Sequence, residues 1–491
     1  MAIALLFTIL TIPLVLATFP LFIKKTKDIG ILTAAGYFIA SACALALAIR
    51  LASDKISFFG FLFADSLSGF FILLISVINA VSALYSIGYI ENDIATGAVT
   101  LRKAKTYYLL FNAFAFTMLS TVVLDNLGFV WVAIEMTTLA SAFLVGFYNT
   151  KHSVEAAWKY LIICSVGITL ALLGTILFYY TGSVHGGISS LNWTEMTAAA
   201  YKMNPDILKI AFLFILVGYG TKAGIAPMHT WLPDAHSQAL APVSAMLSGV
   251  LLKTALYAII RFSVIVNTGL GTQYTGNLFV FFGLLSMAVA AGFIIVQNDI
   301  KRLLAYSSIE HIGVVLFGLG IGGPFAVFGA LFHMFNHAAT KSLMFFGAGS
   351  IVKRYGTHNM NMIRGVARVM PFTGIMFLLG AFALTGSPPF SIFISEIIVL
   401  VSAFTSGHYI AAITFLILVA VVFAGVIHHV SKVVFGKKPE GMPEAAGVVS
   451  EPAGHKAAFV ILLIIMVVFG LYMPAFFTNI LDAAANVVKG I

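Results

Sequence analysis

Charged residues are scarce in this sequence, and cysteine is nearly absent. Asp, Glu, Lys and Arg together make up 9% of the 491 residues, whereas soluble proteins carry about 25%. The two cysteines, Cys43 and Cys164, lie inside apolar runs and form none of the spacings that bind iron–sulfur clusters or haem. Nucleotide and flavin fingerprints are also missing. The composition excludes a water-soluble protein, and we expect no cofactor, no metal and no catalytic redox site in this chain.

Hydrophobic residues make up 60% of the sequence, and they occur in long runs separated by short polar segments. About 20 consecutive apolar residues span a bilayer as a helix, and the short alternating segments of a membrane β-barrel are absent. We therefore predict an all-α polytopic membrane protein whose first helix is retained rather than cleaved as a signal peptide. The fourteen predicted helices lie near residues 2–23, 30–50, 64–91, 105–123, 125–147, 156–180, 207–228, 240–266, 276–296, 301–322, 324–352, 370–402, 408–435 and 457–476.

Two of these helices contain residues that interrupt a helix. The segment 207–228 ends with Gly224 and Pro227, and the segment 370–402 contains Gly386, Pro388 and Pro389. A broken helix is tolerated in a membrane only where protein or a wet cavity satisfies the freed backbone groups. We expect both breaks to lie inside the protein.

Lysine and arginine are distributed unevenly between the connecting loops. One set of alternate loops holds seventeen of them, whereas the other set, with the C-terminal tail, holds five. The positive-inside rule then places the basic loops in the cytoplasm and both termini outside, in a protein of the cell membrane. This topology accounts for the net charge of +9, so we expect no nucleic-acid partner.

Eleven charged residues lie within or at the predicted spans, where each costs about 3 kcal/mol on insertion scales. Several have a structural explanation. Arg261 lies near a helix end, so we expect its side chain to snorkel to the interface. Glu155 and Lys159 are spaced for an i,i+4 ion pair, and Asp65 and Asp125 are placed to cap helices. These residues do not require a functional role.

Four charged residues resist such explanations, because apolar sequence flanks each of them on both sides: Glu135, Lys222, Lys253 and Glu396. Burial moves the proton affinities of lysine and glutamate towards each other. Acidic and basic groups that alternate can then pass a proton, because each charge alters the proton affinity of its neighbour. We predict that these four residues carry an ion, most simply a proton.

His333, His337 and Lys341 recur at intervals of four residues, which places them on one face of a helix. Two histidines four residues apart are also a zinc motif, but the glutamate of HExxH is missing. A His/Lys stripe inside a membrane favours proton conduction or the ordering of water.

The segment MHTWLPDAHSQALAPVSAMLSGVLLKTALYAIIRF, residues 228–262, carries a family resemblance. It resembles the antiporter-like subunits of respiratory complex I, of Mrp sodium/proton antiporters and of membrane-bound nickel–iron hydrogenases of the formate hydrogenlyase type. The segments 298–313, 331–351 and 383–397 also resemble this family. The similarity covers roughly residues 100–435.

The resemblance implies fourteen helices with two inverted five-helix repeats, at helices 4–8 and 9–13, and with helices 7 and 12 broken. The implied division is an N-terminal three-helix segment at 1–100, repeats at 101–270 and 271–440, and a C-terminal loop and helix at 441–491. Paired interrupted helices near the midplane are typical of transporters built from inverted repeats.

The resemblance also implies roles for individual residues. Glu135 and Lys222 match a coupled acid–base pair, Lys253 matches the central lysine, and Glu396 matches the terminal charge of the path. The positions of His333, His337 and Lys341 match the link between Lys253 and Glu396. An acidic residue at Glu310, followed by His311, resembles the hydrogenase branch more than complex I, and we include both residues among those expected to carry the ion.

The implied function is that of an ion-translocating subunit, most simply for protons, which a partner drives. The implied partners are other membrane subunits and a peripheral redox arm with iron–sulfur and nickel–iron subunits. Two alternatives stay open: sodium/proton antiport of the Mrp type, with oxygen ligands from Glu135, Asp125 and Thr137, and a non-transporting scaffold that anchors the redox arm.

Overall fold

The computed structural model describes residues 1–437 and 451–490, and these are almost entirely helical. The helices are α1 Ala2–Phe22, α2 Thr26–Leu51, α3 Ser66–Ala95, α4 Leu101–Thr121, α5 Leu127–Val145, α6 Lys151–Val184, α7 Trp193–Ala199, α8 Pro205–Ala223, α9 Leu232–Gln238, α10 Ala241–Met246, α11 Leu252–Leu270, α12 Gln273–Val296, α13 Ile300–Ile321, α14 Gly323–Tyr355, α15 Val366–Val369, α16 Pro371–Leu384, α17 Ser391–Thr405, α18 Tyr409–Phe435, α19 Ala453–Leu471 and α20 Ala475–Lys489. Strands β1 Ile56–Phe58 and β2 Leu62–Ala64 form an antiparallel hairpin between α2 and α3.

The structure confirms the polytopic all-α prediction. Each of the fourteen predicted segments coincides with a helix or an interrupted helix. Among the described residues, ten helices are long and apolar enough to cross a membrane. The boundaries of the two inverted repeats stay a prediction, and residues 438–450, within the predicted C-terminal loop and its basic flank, lie outside the described residues. The sequence did not predict α20, whose apolar side packs against α3 and α14.

Both predicted helix breaks are present. Helix α8 ends at Gly224, which adopts a left-handed conformation with φ +78°, and the chain becomes helical again at α9. Helix α16 ends at Thr385, followed by Gly386 with φ +65°, before α17 begins. Residues other than glycine rarely adopt this backbone region. Lys222 lies just before the first break and Glu396 just after the second, so the breaks position two of the predicted site residues.

The helices divide into a central and a peripheral group. Helices α3, α10, α11 and α13 are almost fully buried, whereas α1, α18 and α19 present apolar side chains outwards. Close contact between α12 and α13 depends on small residues: a Cβ atom on Gly283 would lie 2.8 Å from the carbonyl oxygen of Gly313. Small residues of this kind let helices pack where there is no hydrophobic driving force between them.

The prediction that Arg261 snorkels to the interface is wrong. Its side chain is 3% exposed, and its guanidinium donates two hydrogen bonds to Asp65, at 2.6 and 2.7 Å, and one to Ser68 at 3.0 Å. It also lies over the ring of Trp193. Asp65 caps α3, as predicted. This carboxylate reaches α11 and pairs with Arg261, so the arginine has a partner inside the protein and has no need of the interface.

Candidate functional site

The side-chain nitrogen of Lys222 is surrounded by hydroxyl groups. Its fully buried Nζ atom donates hydrogen bonds to Thr138 Oγ1 at 2.8 Å and to the Tyr160 hydroxyl at 2.5 Å. The Tyr160 hydroxyl also contacts Ser141 Oγ at 2.7 Å. These side chains project from α5, α6 and α8. The ammonium group is therefore hydrogen-bonded to neutral oxygens, which reduces the free-energy cost of burying its charge.

Glu135 reaches Lys222 through one side chain rather than directly. The half-buried carboxylate accepts hydrogen bonds from Ser165 Oγ and Thr138 Oγ1, both at 3.1 Å. Thr138 thus accepts from Lys222 and donates to Glu135. The structure brings the predicted acid–base pair together, but a threonine hydroxyl separates the two charges. The two side chains would have to move before they could form an ion pair.

Lys253 follows a stretch in which the helix is locally widened. Residues Leu247–Leu251 form a π-helical turn between α10 and α11, a feature often found at functional sites. The Lys253 Nζ atom contacts the backbone oxygen of Ser248 and His337 Nδ1, each at 2.5 Å. Lys253 is completely buried. Its only side-chain partner in the described structure is thus one of the predicted histidines.

Three histidines form a continuous cluster between Lys253 and α17. The His337 ring lies 4.7 Å from the ring of His311, and His311 Nδ1 lies 2.9 Å from His333 Nε2. The other nitrogen of His333 lies 3.0 Å from Ser395 Oγ, on the residue before Glu396. The structure therefore brings together the predicted His333 and His337, and it places His311 between them.

Glu396 and Glu310 lie beside this cluster. Glu396 faces the break before α17, where a Cβ atom on Gly386 would come within 2.1 Å of its Oε2 atom. Glu310 Oε2 lies 3.4 Å from His311 Nε2. Both carboxyl groups are buried. Glu310 and His311, which the resemblance also suggested as translocation residues, lie within the cluster.

Ligand atoms of His311, His333 and Glu396 lie within 4.8 Å of one another. The two facing histidine nitrogens, however, are at hydrogen-bond distance, so one of them carries a hydrogen towards the other. This arrangement is typical of a hydrogen-bonded chain, and a metal ion would require the rings to separate.

Lys341 contacts α13. Its Nζ atom donates a hydrogen bond to the Leu304 carbonyl oxygen at 2.6 Å and another to Ser307 Oγ. The neighbouring Ser308 Oγ contacts Ser248 Oγ at 2.8 Å. In the described structure the hydrogen bonds of Lys341 go to α13 rather than to His333 or His337, although all three residues share one face of α14. It joins the cluster to α13.

The Lys222 group and the Lys253 group are separate in this conformation. In residues 1–437 and 451–490, no side-chain hydrogen bond joins one group to the other. Sequence reasoning missed the hydroxyl groups of Thr138, Tyr160 and Ser165, because serine, threonine and tyrosine are common throughout the spans. The sequence offered one indication that Ser395 belongs to the site, namely its position next to Glu396.

The remaining charged residues near the spans are largely structural. Glu155 and Lys159 form the predicted ion pair at 2.7 Å, and Lys159 also contacts Asp234. Asp125 does not cap α5; its carboxylate accepts hydrogen bonds from the backbone and hydroxyl of Thr194 at the start of α7.

Asp299 caps α13 through the backbone N–H groups of Lys301 and Arg302. Burial alone would raise the pKa of Asp299, but hydrogen bonds involving His358, Arg302 and Ser237 hold it below its usual value.

Comparison with known proteins agrees with this architecture. Residues 125–423 match the model of the family described as NADH:quinone oxidoreductase/Mrp antiporter, transmembrane. The chain is 41% identical to the hydrogenase-4 component F homologue of Methylacidiphilum infernorum (isolate V4), over 72% of this chain and 74% of that protein. It is 33% identical to hydrogenase-4 component B of Escherichia coli (strain K12), over 68% of this chain but 49% of that longer protein.

A solved structure gives the same fold. A chain of the membrane-bound sulfane sulfur reductase, an archaeal respiratory membrane complex, superimposes with a TM-score of 0.86, at 22% identity, over 99% of this chain and 97% of that one.

The fold and the buried acid–base clusters define the class of antiporter-like membrane subunits. The chain belongs to the NADH:quinone oxidoreductase/Mrp antiporter membrane family. Its relatives are subunits of multi-subunit membrane complexes of the complex I, Mrp and hydrogenase types.

Proposed function

We propose that this chain carries protons across the membrane as one subunit of a redox-driven complex of the hydrogenase type. The observation that supports this most directly is the cluster of buried titratable groups that runs from Lys253 through His337, His311 and His333 to Ser395, beside Glu396. His311 and His333 are at hydrogen-bond distance, whereas His337 and His311 are neighbouring rings. A neutral histidine can accept a proton on one nitrogen and release one from the other.

In this proposal, the proton reaches Lys253 and leaves through Glu396. Protonation of His337 by Lys253 would be followed by transfer along the histidines towards α17. Glu396 receives the proton beside the break at Gly386. Residues 101–270 and 271–440 would form the two repeats, with the basic loops cytoplasmic and both termini outside.

Glu135 and Lys222 would control the charge felt by this cluster. The Thr138 hydroxyl bridges them by hydrogen bonds in the present conformation. When the two side chains approach each other, the positive charge of Lys222 is neutralised locally, and when they separate it acts on the groups deeper in the protein. A conformational change in a neighbouring subunit would drive this movement.

The similarity to two hydrogenase-4 components supports the hydrogenase branch. We therefore propose as partners other membrane subunits and a peripheral arm with iron–sulfur and nickel–iron subunits. The buried Glu310–His311 contact on α13 fits this assignment, because the sequence resemblance linked an acidic residue there with that branch.

The test compares Lys253→Met with Lys209→Met in the complex reconstituted in liposomes. A potassium diffusion potential drives proton uptake, and an internal pH dye records it. Lys209 is a matched control, since its side chain is 45% exposed and pairs only with Asp206. We expect Lys253→Met to abolish uptake and Lys209→Met to leave it unchanged. Equal uptake by both variants, or no uptake by the wild type beyond that of empty liposomes, would contradict the proposal and favour a scaffold role.

Sodium/proton antiport is the second candidate, because the family includes Mrp antiporters. The oxygens of Glu135, Thr138 and Ser165 lie together, whereas the predicted ligand Asp125 is bound to Thr194. A hard cation such as sodium prefers more oxygen ligands than this group of three side chains supplies. Proton uptake that requires sodium in the same liposomes would favour this candidate.

A further inference from the structure

Three polar residues follow one another along a single face of α11. Lys253, Tyr257 and Arg261 are spaced by four residues, so they lie one after another on the same side of the helix. Side chains on a helix lean towards its N-terminus, and the guanidinium carbon of Arg261 lies 4.9 Å from the centre of the Tyr257 ring. Arg261 is about 12 Å along the axis from Lys253, at 1.5 Å per residue. This face therefore leads from the central lysine of the site towards the end of α11 that lies opposite the basic loops.

Hydroxyl groups continue this polar route from α11 to α3. The Tyr257 hydroxyl donates a hydrogen bond to the Val122 carbonyl oxygen at 3.0 Å and contacts Ser68 Oγ at 3.1 Å. Ser68 Oγ accepts a hydrogen bond from Arg261 at 3.0 Å. Tyr257, Ser68 and Arg261 are all buried. The Tyr257 hydroxyl is therefore connected to the arginine by hydrogen bonds, and its residue lies one helical turn beyond the central lysine.

Two further polar side chains of α3 lie deeper in the protein and have no partner. Ser76 Oγ and both polar side-chain atoms of Asn79 are completely buried and make no hydrogen bond among the residues that the structure describes. Between them along the chain is Ile78, whose side chain lies 3.3 Å from the position of a Cβ atom on Gly249, four residues before Lys253. Ser76 and Asn79 are therefore at the depth of the central lysine. Buried polar atoms of this kind are sites for ordered water, which would extend the polar route to that depth.

Aromatic rings cover the guanidinium group of Arg261. Its central carbon lies 4.3 Å from the centre of the Trp193 ring and 5.8 Å from that of the Phe63 ring, within the range of cation–π interactions. Trp193 begins α7 and Phe63 belongs to β2, so both lie in connections on the side opposite the basic loops. The indole N–H of Trp193 also donates a hydrogen bond to the Arg261 carbonyl oxygen at 2.8 Å. The guanidinium group is thus held between the polar route and the connections that cover its end.

A fixed positive charge at the end of a polar route obstructs protons. An arginine side chain stays protonated in proteins, and an arginine fixed in a narrow polar passage repels protons and other cations. Without such a charge, this route would take a proton from Lys253 across the membrane without contact with the histidine cluster or Glu396. Protons could then return by the same route, and the gradient that the complex builds would be dissipated.

We propose that Arg261, held by Asp65 and Trp193, is an electrostatic barrier that closes the α3–α11 route and directs the proton of Lys253 to the histidine cluster. The inference rests on the proposed function, because it requires that Lys253 carries a proton. Arg261 acts here through its charge and transfers no proton itself. A purely structural ion pair would depend equally on Arg261 and Asp65, whereas the barrier depends on the positive partner alone.

The test removes each charge of the ion pair in a variant whose release group is already blocked. Glu396→Gln removes the release group, and Arg261→Gln is added to it to remove the positive charge. The matched control adds Asp65→Asn instead, which breaks the same ion pair but keeps the positive charge. Each complex is reconstituted in liposomes, where a potassium diffusion potential drives proton uptake and an internal pH dye records it. The thermal midpoint in detergent shows whether each variant is folded.

We expect Glu396→Gln alone to take up protons slowly, and the addition of Arg261→Gln to speed uptake about tenfold, equivalent to about 1.4 kcal/mol in the barrier. The addition of Asp65→Asn should leave uptake slow. Lys253→Met should abolish the gain, because protons reach the opened route from that lysine. If Arg261→Gln fails to fold with Asp65 left unpaired, Arg261→Gln combined with Asp65→Asn removes both charges and should give the same gain.

The outcomes separate the barrier from the proposed function. If uptake stays slow in the folded variants that lack Arg261, the barrier is refuted and the proposed function stands. An equal gain from Asp65→Asn would also refute the barrier, because the ion pair would then matter only as a tether between α3 and α11. Uptake at the wild-type rate in Glu396→Gln alone would contradict the release step of the proposed function, and the barrier with it, because protons would already leave by another route.

Discussion

Thr138→Val removes the hydroxyl group that lies between Glu135 on α5 and Lys222 on α8. Valine has the same shape, so the packing of α5 against its neighbours should be retained. The Thr138 hydroxyl accepts from Lys222 Nζ at 2.8 Å and donates to Glu135 Oε2 at 3.1 Å. After the substitution, and among the described residues, Lys222 keeps only the Tyr160 hydroxyl as a hydrogen-bond partner, and Glu135 keeps only Ser165.

The magnitude follows from the two lost contacts. A hydrogen bond to a charged group contributes about 1.5–3 kcal/mol, so the loss of both weakens the coupling of Glu135 to Lys222 by about 3 kcal/mol or more. If the transfer step depends on this coupling, its rate falls about 100-fold, because each 1.36 kcal/mol is a factor of ten. Proton uptake by the reconstituted complex, driven by a potassium diffusion potential, measures this rate.

Thr138→Ser is the matched control, since it keeps the hydroxyl and loses only a methyl group. We expect it to remain within about threefold of the wild type, a difference of less than 1 kcal/mol. If Thr138→Val carries protons as fast as Thr138→Ser, then Glu135 and Lys222 do not need the bridge, and the account of this half of the site is incorrect.

Three further substitutions test other parts of the structure. Gly386→Ala should slow proton release, seen in the proton-uptake assay, because the added Cβ atom would displace the Glu396 carboxylate. It should also lower the thermal midpoint in detergent modestly, because alanine at φ +65° is strained by about 1–2 kcal/mol. Arg261→Leu leaves the buried Asp65 unpaired and should lower the free energy of unfolding by about 3–5 kcal/mol, seen as a lower thermal midpoint. Asp299→Asn keeps a capping oxygen but removes the negative charge at the N-terminus of α13 and beside His358, so it should destabilise the protein by about 1 kcal/mol at neutral pH. The pKa of Asp299 is lower in the folded protein than in the unfolded chain, so the ionised carboxylate stabilises the wild type fully above a pH of about 3.9. This stabilisation is lost as the pH falls through the lowered pKa. The difference in stability between the variant and the wild type should therefore disappear in acid.

The sequence predicted the helices well because a bilayer permits few alternatives. Backbone groups in lipid must be satisfied within the segment, so a long apolar run is a helix. The breaks were predictable for the same reason: Gly224 with Pro227, and Gly386 with Pro388 and Pro389, cannot continue a helix. Helix α20 was not predicted, because its apolar residues cover one side only and give a weaker signal than a span.

The partners of the buried charges were less predictable than the charges themselves. Arg261 and Asp65 are 196 residues apart, so no local pattern joins them, and proximity to a helix end favoured the wrong explanation. Thr138 bridges Glu135 to Lys222 across two helices, and its neighbour Thr137 is indistinguishable from it in sequence. Such contacts depend on the rotation of one helix against another, which packing in three dimensions decides.

The histidine cluster contains contacts that the sequence predicted and contacts that it did not. The spacing of His333 and His337 placed them correctly on one face of α14, because both belong to a single helix. His311 lies on α13, and only the contact between α13 and α14 brings its ring between the other two. The resemblance to a family supplied the connection to Glu396, and the structure adds Ser395 as the hydrogen-bonding group beside it.

The central claim, that this chain supplies the ion path and a partner supplies the energy, is tested most directly by the number of protons translocated per electron pair. The complex purified with Lys253→Met should be compared with the wild type in liposomes, with redox turnover and proton translocation measured in the same sample. We predict that redox turnover continues while translocation falls to the level of the uncoupled wild type. Translocation at the wild-type ratio in Lys253→Met would contradict the account.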